Sequence, residues 1–313
     1  MDNTKTVIVN ETLPFNPMCP NCGNPVTIEG TPFPDGLGYY VKCSKCNIEW
    51  ATSPFSKDED RLKWLHQFDR TTPGVSVEVT RVFEPKVIIQ KHTTVNPISL
   101  IGEEAGVCWG ADVTDEEKNH KRGLDCIESN HGRAMEFPQI YMVLDGWSAK
   151  VIREFYTHIG GAPTRLQAST RYIDYSKDFN AVMPPSVMKN AEAKQLWNDF
   201  MAEVAPKVEK LKELGVPNED ATNLLPLAYA TKVVVRTNLR NLIDMSRQRL
   251  CSRAYGEYRK LMKEILWQLE NYSEEWEELI YEAKVFKPKC EELGYCPEKR
   301  GCGKKGKKEK KEN

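Results

Sequence analysis

Between residues 75 and 80 the side chains alternate, with Val75, Val77 and Val79 on one side and Ser76, Glu78 and Thr80 on the other. That period of two predicts a half-buried strand. Val87-Ile88-Ile89, just after Pro85, predicts another, and Ile140-Tyr141-Met142-Val143-Leu144 a third, ending at the turn signal Asp145-Gly146. Helical spacing follows over 149–156 and dominates beyond Pro185, where Leu196, Phe200, Val204, Val208 and Leu211 recur until Gly215-Val216-Pro217 stops them. Further helices are predicted over about 225–250 and 252–269, and Ser273 caps a last acidic helix carrying Trp276, Leu279 and Ile280. The pattern is that of an α+β protein whose C-terminal part consists of long helices.

Residues 1–60 carry only short apolar stretches, such as 39–41, among many Pro, Gly and Asn residues, and form no core unaided. A charged segment, 57–70, places Leu62, Trp64, Leu65 and Phe68 at helical spacing before Thr71-Thr72-Pro73-Gly74; it predicts a short connecting helix and a turn. In the coreless segment lie Cys19-Pro-Asn-Cys22 and Cys43-Ser-Lys-Cys46, two knuckles with twenty residues between them. Four thiolates at that spacing close a tetrahedral structural zinc site, with Gly23 permitting the tight turn. A redox CxxC is the rival, but no βαβ pattern surrounds it. The expected organisation is a zinc ribbon over 1–60, a connecting helix and linker over 61–74, a mixed domain over 75–285 and a Cys-containing, Lys-rich tail over 286–313.

Composition adds exclusions. With 28% charged residues and a formal net charge of -1, the 313-residue chain has no overall charge that calls for nucleic acid or an anionic membrane. No apolar run approaches the roughly 20 residues of a membrane span, and the N-terminus lacks a signal-peptide core, so a cytoplasmic protein is expected. The last ten residues hold six lysines and two glutamates and read as a solvated tail; nucleic-acid contact by tail or ribbon has no further support. Ten cysteines in such a chain point to metal ligation and free thiols rather than disulfides. Cys290, Cys296 and Cys302, with five residues between successive members, form a looser second cluster: either Cys251 or a histidine completes it as a metal site, or the three are free thiols.

The densest pattern lies in the middle. Asn130-His131-Gly-Arg-Ala-Met-Glu136 is followed by Tyr156-Thr157-His158-Ile159-Gly160-Gly161 and then Arg165-Leu-Gln167-Ala-Ser169-Thr170-Arg171-Tyr172. Asn238-Leu-Arg240, Asp244 and Arg249 come later, after Glu219-Asp-Ala-Thr222. Eleven residues separate Asn238 from Arg249, about 16 Å along a helix, so one helix reaches two parts of an extended ligand. Ser169-Thr170-Arg171 offers a hydroxyl, backbone amides and a guanidinium, a grip for a phosphate.

Over about 75–285 these residues resemble the flavin-dependent thymidylate synthases, also called thymidylate synthase complementing proteins. In that family a histidine and a glutamate precede an Arg-His-Arg signature and a Ser-x-Arg-Tyr, and a late helix carries Asn-x-Arg with an arginine eleven residues after the Asn. Ala105-Gly-Val-Cys108-Trp-Gly110 is similar to the family's early small-residue turn. The resemblance implies reductive methylation of dUMP to dTMP with methylenetetrahydrofolate, NADPH and FAD, in a homotetramer that shares its sites between subunits. It implies Arg249 against the pyrimidine and His131 near the reacting centre as the catalytic groups. It also implies Gln167, Ser169, Thr170, Arg171 and Arg249 on dUMP, and His158, Asn238, Arg240 and Asp244 on FAD, with Arg165 standing in for a lost arginine. The departures are Thr157 and Ile159 where the family has arginines, a longer loop starting at Gly160-Gly161, Gln167 for a glutamate and Thr222 for an arginine. They keep two alternatives open: a related flavin-dependent nucleotide hydroxymethylase, and a non-catalytic zinc-ribbon protein that binds nucleotide.

Overall fold

The computed structural model describes residues 9–12, 15–22, 24, 26, 28–33, 36–51, 64, 65, 68–73, 76–79, 85–160, 163–177 and 179–308. Gly23, Leu62, Gly74, Val75, Thr80, Gly161 and the last five residues, on which parts of the sequence reading fall, lie outside these. The chain divides into two compact units, Met1–Glu84 and Pro85–Asn313.

In the first unit, Val9–Thr12 (β1) pairs with Ser76–Val79 (β7) and Phe15–Pro17 (β2) with Asp69–Pro73 (β6), while Ile28–Phe33, Gly36–Lys42 and Glu49–Ala51 (β3, β4, β5) form a three-stranded antiparallel sheet. Among the described residues its core comprises Ile28, Tyr39, Val41, Leu65 and Phe68, with Val26, Trp50 and Trp64 packed against it. Trp64 meets Phe68 edge to face at 5.0 Å between ring centroids and stacks on Tyr39 at 5.8 Å. The described part of the expected connecting helix therefore contributes side chains to this core. The expected turn at Thr71-Thr72 is strand β6, and the alternating stretch after it pairs with β1 in this unit.

The second unit is built on an antiparallel sheet in the order β10-β11-β9-β8, formed by Lys86–Ile89 (β8), Gln139–Ser148 (β9), Thr164–Gln167 (β10) and Ala230–Asn238 (β11). Two expectations are corrected here. The helix predicted over 225–250 is strand as far as Asn238 and helix only from Leu239; Thr231, Val233, Val235 and Thr237 are buried on one face, and this period of two governs. Asp145-Gly146 is no turn, because β9 runs through it. Lys232 pairs with Asp145 and Thr231 with Trp147, leaving Gly146 as an extra residue at φ 80°, a bulge whose left-handed backbone glycine supplies without strain.

One face of the sheet is covered by helices. Ile140, Met142, Leu144 and Trp147 of β9 join one core with Val151, Ile152 and Phe155 of Ala149–Phe155, Leu242 and Met245 of Leu239–Arg249, and Tyr258, Leu261 and Ile265 of Gly256–Glu270. The buried indoles are satisfied: Trp147 donates to the Lys86 carbonyl at 3.0 Å and Trp276 to that of Thr94 at 2.8 Å. On the open face Ile88, Val143, Val234 and Leu166 stand opposite one another across all four strands. Leu196 and Phe200 of the helix Ala191–Glu213 are exposed, whereas Val204 and Val208 form a small core with Ala221.

Helix Pro97–Cys108 lacks a side-chain cap of its own. Glu275 supplies one, accepting from the Ile98 and Ser99 amides at 2.6 and 3.0 Å, where a carboxylate also suits the helix dipole. This helix crosses Glu116–Glu128 at near backbone contact: a Cβ on Gly102 would lie 1.7 Å from the Asn119 carbonyl oxygen, and one on Gly123 2.0 Å from that of Ile98. Gly123→Ala is expected to lower stability by about 2 kcal/mol, because overpacking costs up to ~3 kcal/mol while helix propensity returns only ~1. Urea denaturation measures it; an unchanged midpoint would refute the close crossing.

Candidate functional site

Three groups of polar side chains gather the residues singled out in the sequence. The first lies where β9 and β11 lead into their neighbouring turns and helix. Asn238 caps helix Leu239–Arg249, its side chain accepting from the Asn241 amide at 2.9 Å. Arg240, on the first turn, pairs with Glu136 and lies over Gly132, where a Cβ would come within 3.1 Å of its guanidinium carbon. The neighbouring His131 is exposed, with its ring edge-on to Trp109 at 6.4 Å. Asp244 is engaged by Arg247, which also binds Glu292.

The second group centres on His158. Arg249, at the end of the same helix, donates from Nε to His158 Nε2 at 3.1 Å and from Nη1 to Glu154 Oε2 at 3.0 Å, with its guanidinium 4.3 Å from the Tyr258 ring centroid. Arg165 approaches from β10, donating to the backbone carbonyls of Tyr156, at 3.2 Å, and of His158. Its Nε is buried and has no hydrogen-bond partner in the structure. Gly160 packs closely here: a Cβ would lie 2.9 Å from Asn241 Oδ1, and that side chain would have to shift. Glu154 and Tyr258 belong to this group and carried no sequence signal; both lie outside the ordered pattern around His158.

Burial, then the positive charges of Arg249 and Arg165, hold His158 down to about 4. A neutral imidazole that accepts at Nε2 carries its proton on Nδ1, which is thereby a donor for a ligand. Between pH 6.5 and 4 the unfolded chain binds a proton that the folded site refuses, so this group makes stability fall as pH falls through that window. The full shift corresponds to ~3 kcal/mol, which partial exposure reduces to about 1–2 kcal/mol. His158→Gln keeps an acceptor for Arg249 and is expected to flatten that part of the curve in urea unfolding at pH 4.5 and 7. Equal pH slopes in both proteins would exclude it.

The third group is the turn after β10. Asn218 Nδ2 donates to the carbonyls of Thr170, Arg171 and Ile173 at 2.9, 3.2 and 3.1 Å, and buried Thr222 reaches the Thr170 carbonyl at 3.4 Å. Ser169 Oγ accepts from the Arg171 amide at 3.2 Å, and Gln167 donates to Thr231 at 3.4 Å. Arg171 is exposed and pairs with Glu219 at 2.7 Å. The structure thus joins His158, Arg165 and Arg249 in one group and Gln167, Ser169, Thr170 and Arg171 in another. His131, Asn238 and Arg240 belong to the first group described.

In the N-terminal unit, the sulfurs of Cys19, Cys22, Cys43 and Cys46 all lie within 4.8 Å of one another, with Cys19···Cys46 at 3.6 Å and Cys22···Cys43 at 3.5 Å. Zinc–sulfur bonds of ~2.3 Å require tetrahedral edges of about 3.8 Å, so the donor set fits. The Cys46 amide, together with that of Lys45, holds Cys43 down to about 6 despite burial. The Asn24 amide acts the same way on Cys22, but burial and the neighbouring thiols prevail and push it up to about 12. A bound cation would relieve that conflict.

The family model described as thymidylate synthase complementing protein matches residues 90–272. A flavin-dependent thymidylate synthase of Nitratidesulfovibrio vulgaris is 32% identical over 235 residues, covering 69% of this chain and 92% of that protein. One of Pyrococcus furiosus is 31% identical over 245 residues, covering 74% and 96%. Among solved structures, a UMP/dUMP methylase of Streptomyces cacaoi bound with 5-Br dUMP superposes with a TM-score of 0.53 at 12% identity, over 64% of this chain and 95% of that one, a likeness of fold. The chain belongs to the thymidylate synthase complementing protein family, and all three polar groups fall within the matched residues.

Proposed function

We propose that the protein is a flavin-dependent thymidylate synthase that methylates dUMP to dTMP, taking one carbon from methylenetetrahydrofolate and reducing equivalents from NADPH. The observation that carries this reading is His158 held between two guanidiniums, Arg249 at its imidazole and Arg165 at its backbone carbonyl, although Thr157 and Ile159 are not arginines. Bound FAD would supply the hydride that completes the methyl group. The chain's own residues would grip it: the unpartnered Arg165 Nε and the His158 Nδ1–H suit an anionic group, with Asn238 and Arg240 at the far end of the helix.

For dUMP, Ser169, Thr170 and the Arg171 guanidinium would take the phosphate, aided by Gln167. The exposed Arg171–Glu219 pair is worth ~0–1 kcal/mol, so a bidentate phosphate displaces it at little cost. Arg249, oriented by Glu154 and Tyr258, would stabilise negative charge developing on the pyrimidine, with His131 nearby. The open apolar row Ile88, Val143, Val234 and Leu166, of which Leu166 is 71% exposed, favours burial against further copies, in keeping with a homotetramer that would bring the separate groups together. Zinc would be held by Cys19, Cys22, Cys43 and Cys46. Among the described residues no helix is long and apolar enough to cross a membrane.

The test is to load the purified protein with FAD, measure its molar mass by light scattering, and assay dUMP with methylenetetrahydrofolate and NADPH, reading the product by mass. A product heavier by one methyl group is expected. A hydroxymethylated product, or failure to take up flavin, would overturn the proposal.

A further inference from the structure

Four cysteines surround one cavity in the C-terminal unit. Cys251 lies just past helix Leu239–Arg249, Cys290 on the short helix Lys289–Leu293, and Cys296 and Cys302 on the segment that follows. All four line a cavity of about 860 Å³, shared with Arg249 and Arg253. The chain wraps closely around these sulfurs. A Cβ on Gly301 would come within 3.1 Å of the Cys296 sulfur, and the Ser252 hydroxyl hydrogen-bonds to that of Cys302.

What holds this segment in place is otherwise unexplained. Among the described residues none beyond Phe286 joins a hydrophobic core cluster. Yet the segment folds back on the preceding helices: Arg247 reaches Glu292 at 2.7 and 3.2 Å, Arg253 the Arg300 carbonyl, and the Cys296 amide the Gly306 carbonyl at 2.7 Å. Exposed polar contacts of this kind contribute little, and segments too small for a core are commonly stapled by metal.

The two cysteine sets differ in how they present their sulfurs. Among the described residues, only the N-terminal four cysteines bring three or more ligand atoms within 4.8 Å of one another. The C-terminal four, spaced around a cavity, do not form such a compact donor set. A cluster of iron and sulfide, which places its own atoms between four thiolates, suits four cysteines lining one cavity. Five cations, Arg247, Arg249, Arg253, Lys289 and Lys305, line it against three acids, Asp244, Glu292 and Glu298, and this positive excess partly offsets the negative charge of four thiolates.

We propose that Cys251, Cys290, Cys296 and Cys302 hold a four-iron, four-sulfide cluster at the end of the helix that carries Arg249. The proposal does not depend on the nucleotide reading, and its test makes no use of turnover. The full-length protein is reconstituted anaerobically with ferrous iron and sulfide, desalted, and analysed for iron, acid-labile sulfide and zinc, with electron paramagnetic resonance after reduction. Roughly four iron and four sulfide per chain are expected, with a paramagnetic signal in the reduced state. Cys296→Ser/Cys302→Ser is expected to lose at least tenfold of both while keeping the zinc content of the parent. Cys302→Ser alone, at an exposed position outside every core, guards against misfolding and is expected to lower occupancy severalfold; Cys108→Ser, outside the cavity, should leave it intact. Equal iron in parent and double variant, or a second zinc per chain with no sulfide, would overturn the proposal.

Discussion

Arg249→Lys is expected to lower turnover of dUMP by about 100–1000-fold, the usual loss when one group that stabilises developing charge is removed. Lysine keeps the charge but not the geometry. The guanidinium spends Nε on His158, Nη1 on Glu154 and its face on Tyr258, leaving further N–H groups for a ligand; one ammonium cannot make all of these contacts. The side chain is 18% exposed and its Glu154 partner 34%, so the pair is partly desolvated and stiffer than a surface ion pair. A second readout needs no substrate. After burial, Arg249 is the next cause of the low His158 pKa of about 4, so Arg249→Ala, which removes charge and opens the site to water, should move the His158 titration upward in a proton NMR experiment. Near-wild-type turnover in the lysine variant, or an unmoved titration in the alanine variant, would place Arg249 outside the reacting centre.

The eleven-residue interval from Asn238 to Arg249 was legible because a helix converts separation along the chain into distance, and the helix is present with Asn238 as its cap. The strand before it was less so. Val233-Val234-Val235 has the β-branched composition of a strand, but no Gly or Pro separates it from the helix, and the switch of period is marked only by the capping Asn238. Asp145-Gly146 misled for a related reason: a turn and a glycine bulge ask for the same residue with the same positive φ, and only the pairing partner distinguishes them. The meeting of Arg165 with His158 was conjectured from what the chain lacked, but its contacts depend on how β10 returns beside the loop, which local pattern does not encode. The extent of the N-terminal unit was hidden because β1 pairs with β7 across more than sixty residues, beyond the reach of any periodicity.

The N-terminal unit is expected to depend on the zinc proposed for its four cysteines. Among the described residues its core is Ile28, Tyr39, Val41, Leu65 and Phe68, and units with so few core residues are commonly stapled by metal. Structural zinc contributes about 10–16 kcal/mol in comparable small sites at neutral pH, and that binding energy is folding energy. Removing the cation also restores the conflict among the thiols, where Cys43 ionises readily and Cys22 resists. Cys43→Ser, or a strong chelator, is therefore expected to release one zinc per chain and open Met1–Glu84 to protease, while the helices and sheet of Pro85–Asn313, which have their own core, remain resistant. Lowering the pH should release the metal as well, because protons compete for the four sulfurs. Mass spectrometry of the bound metal and of the proteolytic fragments reads both effects. A protease-resistant N-terminal unit after complete loss of metal would mean that its aromatic core, with Trp64 against Tyr39 and Phe68, suffices alone.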